Sequence, residues 1–170
     1  MNKSQLTEVP PFYTNYVKLV ETNHLIEALM ENKESTEFFF KTIPKEKEDF
    51  RYAEGKWSIK EVLSHIIDTE RIMAYRALRF ARNDQTPLPG FEENDYVKYA
   101  GATGRFMEDI IGEFLANRAS RISLFKSLSE EAVLRTGTAN NSKISVLALG
   151  FIIVGHTLHH KNIIRERYLK

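Results

Sequence analysis

The sequence predicts an all-α fold, a four-helix bundle, from three observations. Four long segments repeat apolar residues at helical spacing. None alternates convincingly as a strand, and clusters of Pro, Gly and polar residues separate the four. At 170 residues the chain has the size of one domain, taken as 1–170, and can bury a core without disulfide or metal staples. A metal bound here would point to function rather than to structural support.

Residues 1–12 read as an irregular arm, because Pro10 and Pro11 stop regular structure, and residues 14–20 as a short turn of helix. Asn23 is a fair N-cap for a first long helix ending near Thr42, with Leu25, Ile26, Leu29, Met30, Phe38, Phe39 and Phe40 as apolar contacts. Pro44 ends it, and the charged run 45–49 reads as a solvated connection.

The sharpest start signal is Ser58-Ile59-Lys60-Glu61, a capping box in which each end side chain satisfies an orphan backbone donor. Trp57 stands where it can staple onto Val62. From there Ile59, Val62, Leu63, Ile66, Ile67, Met73, Ala74, Ala77 and Leu78 give a stripe to about Arg82, and His65 falls inside it.

Residues 83–104 form a long connection with Pro87, Pro89, Gly90, Gly101 and Gly104, and a short helix over 92–99. Loops longer than about 12–15 residues are usually functional or disordered. Phe91, Tyr96 and Tyr99 argue for a packed cover, with Phe91 and Tyr96 capping the apolar end of the bundle rather than lidding a site. A third long helix spans 105–128, with Met107, Ile110, Ile111, Phe114, Leu115, Ile122, Leu124 and Phe125 inward. Residues 129–142 are polar and turn-rich, and Ser142 or Ser145 caps a fourth helix reaching Tyr168. The connections are unequal, so an up-down-up-down order does not follow from the pattern.

Composition narrows the function. Lys and Arg total 24 against 23 Asp and Glu, a net charge of +1. Phosphate-neutralising proteins concentrate excess positive charge, so no nucleic-acid partner is expected. The first residues lack the apolar core of a signal peptide, and the apolar run 144–155 is far short of the roughly 20 residues that span a bilayer. No membrane association and a cytoplasmic location are expected. Cysteine is absent, which leaves His, Asp and Glu as candidate metal ligands.

His156 and His160 lie one helical turn apart, so both rings project from one face of the fourth helix. Such a pair can bind one ion, as in the H-E-x-x-H signature. His65 lies on the apolar stripe of the second helix, and facing helices of a bundle are where metal sites are built. The alternative is three core histidines, each satisfied by a carboxylate or carbonyl. His159 points about 100° away from His160, and His24 reads as a surface residue.

Residues 57–71 read W-S-x-x-E-V-L-x-H-I-x-D-T-E-R, residues 155–169 read G-H-T-L-H-H-x-x-x-I-R-E-R-Y-L, and P-G-F-E-E-N-x-Y stands at 89–96. With these motifs the chain resembles the DinB/YfiT-like superfamily of metal-dependent four-helix bundles over nearly its whole length. The resemblance implies an up-down-down-up bundle, often paired as a homodimer. It also implies a divalent metal (Zn, Ni or Fe) held by one His from the second helix and an H-x-x-x-H pair from the fourth, here His65, His156 and His160. Several members of the superfamily are thiol-dependent transferases or isomerases.

Three imidazoles leave a coordination position open, the mark of a catalytic rather than a closed structural site. With no thiol in the chain, the first expectation is activation of an exogenous low-molecular-weight thiol for S-transfer to a small-molecule substrate. The second is hydrolysis by metal-bound hydroxide with a carboxylate base, Asp68 or Glu70, since Glu61 already caps a helix. The third is a non-catalytic dimeric bundle whose metal orders the core. Arg71, Arg79 and Arg82 read as a solvated ridge, with attraction of an anionic substrate as the alternative, and Arg76 lies off that ridge.

Overall fold

The computed structural model describes residues 1–170. Helices α1 (Thr14–Lys18), α2 (Leu25–Lys41), α3 (Ile59–Ala81), α4 (Glu93–Tyr99), α5 (Met107–Lys126) and α6 (Glu130–Leu134) precede strands β1 (Thr136–Ala139) and β2 (Ser142–Ser145). Helix α7 (Val146–Ile163) follows and runs into a π-helical turn, Ile164–Tyr168. The four long helices α2, α3, α5 and α7 form the bundle. Helix α3 starts on the expected capping box: Ser58 Oγ accepts from Glu61 N at 3.2 Å, and Ser58 N donates to Glu61 Oε2 at 2.7 Å.

Each long helix contributes to two apolar layers, which give its direction. One layer joins the start of α2 (Leu25, Leu29), the ends of α3 (Ala77, Phe80) and α5 (Phe125), and the start of α7 (Leu147, Phe151). The other joins the end of α2 (Phe40), the starts of α3 (Ile59, Leu63) and α5 (Ile110, Phe114), and Ile164 and Tyr168 beyond α7. The order is therefore up-down-down-up. Around the bundle α2 neighbours α5 and α7, and α3 neighbours α5 and α7. Helices α3 and α5 run parallel, so residues 82–106 must travel the length of the bundle. This is the physical reason for the long connection.

Between the two layers one guanidinium ties all four helices together. Arg118 of α5 is fully buried. It donates to Glu70 of α3 through Nε and Nη2, both at 2.9 Å. It also donates to Asn32 Oδ1 of α2 at 2.6 Å and Thr157 Oγ1 of α7 at 3.2 Å. Both charges fall on the apolar stripes of their helices, Glu70 between Ile67 and Met73 and Arg118 between Phe114 and Ile122.

The structure departs from the sequence expectations in several places. A short hairpin occupies part of the polar segment, where no strand was expected. Asn140 and Asn141 take φ of +47° and +58° between β1 and β2, and two successive positive φ values make the tight turn that suits hairpin twist. The hairpin is held by Leu88 of the crossover, which donates to Thr138 O at 2.9 Å and accepts from Asn140 N at 3.0 Å.

Asn23 is not the N-cap of α2. His24 takes that position without a side-chain cap, and the arm supplies the partner instead, Met1 O accepting from Leu25 N at 3.2 Å. Phe38, Met30 and Leu78 face solvent at 72, 44 and 37% exposure, whereas Phe39 and Phe40 are buried. Three consecutive aromatics cannot all share one face of a helix. Ser145, not Ser142, caps α7, and its hydroxyl accepts from Ala148 N at 3.2 Å. No helix is long and apolar enough to cross a membrane.

Helix α1 sits on α7 because Gly155 has no side chain: a Cβ there would lie 2.0 Å from the Tyr16 carbonyl oxygen. Gly155→Ala should lower stability by about 1–3 kcal/mol, the usual cost of overpacking, and should loosen α1, which chemical denaturation and amide exchange would register. Glu70→Leu strands the Arg118 charge and should cost about 3–5 kcal/mol in the same denaturation assay, much of it recovered in the double variant Glu70→Leu/Arg118→Met.

Candidate metal centre

Antiparallel packing of α3 on α7 brings the first third of α3 against the second half of α7. His65 therefore faces His156 and His160, although 91 residues separate it from His156. The Nε2 atoms of His65 and His156 are 3.1 Å apart, and those of His160 and His156 3.0 Å apart. One ligand atom from each of the three rings can be chosen so that all lie within 4.8 Å of one another. The rings meet edge to face, their centroids 4.4–4.9 Å apart.

These contacts are with one another and not with a carboxylate or carbonyl, so the reading of separately satisfied core histidines does not describe them. A neutral imidazole nitrogen carries either one proton or one lone pair. His156 Nε2, approached by two others, cannot satisfy both through neutral hydrogen bonds unless it shares one proton. A cation bound by all three lone pairs resolves the conflict. At a metal–nitrogen length of about 2.0–2.1 Å, adjacent ligands lie about 2.9–3.4 Å apart for right-angle to tetrahedral geometry, and the 3.0 and 3.1 Å separations fall in that interval. The donor set fits a divalent ion.

Burial keeps the rings neutral, as ligation requires. It pushes the His65 pKa down to about 4. His156 and His160 are held well below the ordinary histidine range, first by burial and then by repulsion from the neighbouring imidazoles. Aromatic rings wedge the ligands in place: Trp57 packs on His65 with centroids 4.7 Å apart, and Tyr16 meets His156 edge-on at 5.5 Å. Trp57, expected only as a helix staple, thus also supports a ring of the cluster. His159 is outside the ligand group, its ring against Tyr16 at 5.1 Å and His160 at 5.2 Å, and His24 is exposed.

Two cavities open beside the cluster. One, of about 300 Å³, is lined by His156, Tyr13, Tyr16, Thr69, Arg76 and Phe91, among others. The second, of about 240 Å³, reaches His160 past Trp57, Tyr52 and Tyr168. Glu93 of α4 lines both. It is the carboxylate that sequence reasoning missed, and its signal was present in the P-G-F-E-E-N-x-Y loop.

The acids considered beforehand lie elsewhere. Glu61 pairs with Arg51 at 2.8 Å, Glu70 with Arg118, and Asp68 with Arg71 at 3.3 Å. Arg71 also pairs with Glu113 at 2.7 Å, and Arg79 with Asp84, so these two arginines form the solvated ridge. The arginine that reaches a cavity is Arg76. Phe91 lines the His156 cavity rather than capping the bundle end, and Tyr96 packs beside it at 5.2 Å.

An up-down-down-up bundle with three inward histidines on its second and fourth helices defines a class of protein before any comparison. A sequence model of the DinB superfamily matches residues 28–164, and this chain belongs to that superfamily. No curated protein matches the sequence significantly. Among solved structures, YfiT from Bacillus subtilis, described as a probable metal-dependent hydrolase with an unusual four-helix bundle topology, superposes with a TM-score of 0.72 at 16% identity, over 84% of this chain and 82% of that one. A mycothiol-dependent maleylpyruvate isomerase superposes at 0.68 with 10% identity, over 81% of this chain and 58% of that longer one. A DinB-like protein from Bacillus subtilis gives 0.60 at 17% identity, over 85% and 88%. At these identities the likeness establishes the fold.

The depressed histidine pKa values have a consequence for the chelator-treated protein. Below pH 6.5 the unfolded chain takes up protons that buried His65 refuses until about pH 4. Stability is therefore whole above pH 6.5 and falls as pH drops through that interval, by on the order of 3 kcal/mol from His65 alone. Thermal melts from pH 7 to 4 should show the decline, and His65→Ala should make it shallower, leaving the part due to His156 and His160.

Proposed function

We propose that this chain is a divalent-metal enzyme in which His65, His156 and His160 hold the ion and a low-molecular-weight thiol is activated for S-transfer to a small-molecule acceptor. The observation that carries the reading is the convergence of three neutral imidazoles, two buried and one half-buried, at the junction of two cavities. Two recesses, one beside His156 and one beside His160, suit a reaction between two reactants. The cysteine-free sequence requires that any thiol come from outside.

The ion supplies Lewis acidity, lowering the pKa of a coordinated thiol or water toward neutrality. The chain does the rest. Trp57 and Tyr16 keep the ligand rings from turning. Glu93, at the mouth of both cavities, takes the proton released by the incoming nucleophile. Met73, Ile152 and Ile163 contribute the apolar part of the cavity walls.

Glu93 also favours a second reading, metal-assisted hydrolysis with the same carboxylate as general base, and YfiT is described in those terms. The homodimer implied by the family resemblance belongs to the proposal and is open to sedimentation analysis.

Elemental analysis of the purified protein should find about one equivalent of a divalent metal, lost in His65→Ala and His160→Ala; full retention by both variants would remove these residues from the ligand set. Metal-loaded protein should consume a thiol together with an electrophile. Turnover of an activated ester without thiol would favour hydrolysis instead, and inertness toward both mixtures would leave the ion an ordering role.

A further inference from the structure

The cavity beside His156 holds a buried charge that makes no ion pair within the chain. Arg76 is only 3% exposed, and a guanidinium stays protonated in any protein environment. Its contacts are uncharged: Nη2 donates to the Pro89 carbonyl at 2.7 Å, and Nη1 lies 3.7 Å from Met73 Sδ. The contrast is Arg118, equally buried, which holds both oxygens of Glu70. A buried charge without a counter-ion is costly. Glu93 lines the same cavity but makes no ion pair with Arg76.

A second group in the cavity is also without a partner. The Thr69 hydroxyl is buried with no hydrogen bond, and Thr69 is 5% exposed. His65, Thr69, Met73 and Arg76 follow at spacings of four, four and three, so the cavity floor continues the helix face that carries the first histidine of the cluster. Tyr13 and Tyr16 of the α1 region close the opposite wall.

We propose that this cavity is a subsite for a small carboxylate-bearing ligand, its carboxylate between Arg76 and the Thr69 hydroxyl and its other end toward His156. The charge balance selects a carboxylate. The one guanidinium compensates a single negative charge, whereas a dianionic phosphate would bring a second, uncompensated charge into a cavity that Glu93 already lines. A planar carboxylate also matches the planar guanidinium fork. The inference deepens the proposed function by naming the ligand class, and rests on that reading only for which end faces the histidines.

The test is a titration of the purified protein with propionate, followed by calorimetry and by the NMR shift of the Met73 methyl group. Saturable binding is expected, weakened about tenfold or more by Arg76→Gln and less by Arg76→Lys and Thr69→Val. Should Arg76→Gln fail to fold by circular dichroism, the Lys and Val variants carry the comparison. His65→Ala should keep the Arg76-dependent binding, so a failure of the metal reading leaves this result intact.

No saturable binding, equal binding by the Arg76 variants, or binding lost in His65→Ala but not in Arg76→Gln would overturn the subsite. Inorganic phosphate binding as tightly as propionate, with the same dependence on Arg76, would overturn the carboxylate assignment. Two further arms locate the source. Tighter binding of 3-mercaptopropionate than of propionate or 2-mercaptoethanol places the carboxylate on the thiol. Independent binding of propionate and 2-mercaptoethanol places it on the acceptor.

Discussion

The Arg118–Glu70 pair is the constraint on which the rest of the bundle depends. Apolar layers alone hold helices together without specifying how far each slides along its neighbours, because hydrophobic contact is non-directional. A guanidinium with fixed donor directions is different. By bonding to α2, α3 and α7 from α5, Arg118 sets the height of all four helices relative to one another. Glu70 is five residues beyond His65, and Thr157 is the residue after His156. The polar layer that registers the helices is therefore adjacent to the histidine cluster and sets its geometry.

Topology then does what sequence distance cannot. In the up-down-down-up order the two histidine-bearing helices are antiparallel neighbours, so the start of one meets the end of the other. The parallel pair α3 and α5 forces the crossover to run along the bundle, and this lays α4 and Phe91 beside the histidines. Glu93 reaches both cavities because the crossover cannot be short. The close seat of α1 on Gly155 brings Tyr16 to the same place from the other side. Two segments outside the bundle helices, the crossover and α1, thus converge on one spot for separate steric reasons.

Much of this was legible in the residues. Helical periodicity and the Ser58–Glu61 box located the long helices to within a few positions; the spacing of His156 and His160, the apolar stripe that carries His65 and the family resemblance together picked out the three rings that the fold brings together. Other features were hidden for identifiable reasons. Arg118 and Glu70 stand on the apolar stripes of their helices, but the pattern of one helix cannot say which charge on another it will meet, and only tertiary packing shows that they pair. The hairpin was masked because two four-residue strands carry too little alternation, although the Asn-Asn turn signalled it. Arg71 and Arg79 drew attention as charges near the site, yet the helix rotation sends them to solvent-side acids and turns Arg76 inward. A charge pattern alone cannot distinguish a one-residue difference in phase at the edge of a stripe.

The two buried arginines show how one chemical group serves opposite ends. Arg118 is matched by a bidentate carboxylate, two side-chain oxygens and the central position, and it is immobile. Arg76 sits at a cavity wall with a backbone carbonyl and a thioether, contacts that orient a guanidinium but do not neutralise it. Had Arg76 only a structural role, the same economy of packing that places Glu70 opposite Arg118 would be expected opposite Arg76. Instead the space holds an unpaired hydroxyl and opens toward the histidines. A positive pole at one end and three converging lone pairs at the other favour a ligand of opposite polarity at each: an anion beneath α1 and a cation among the imidazoles.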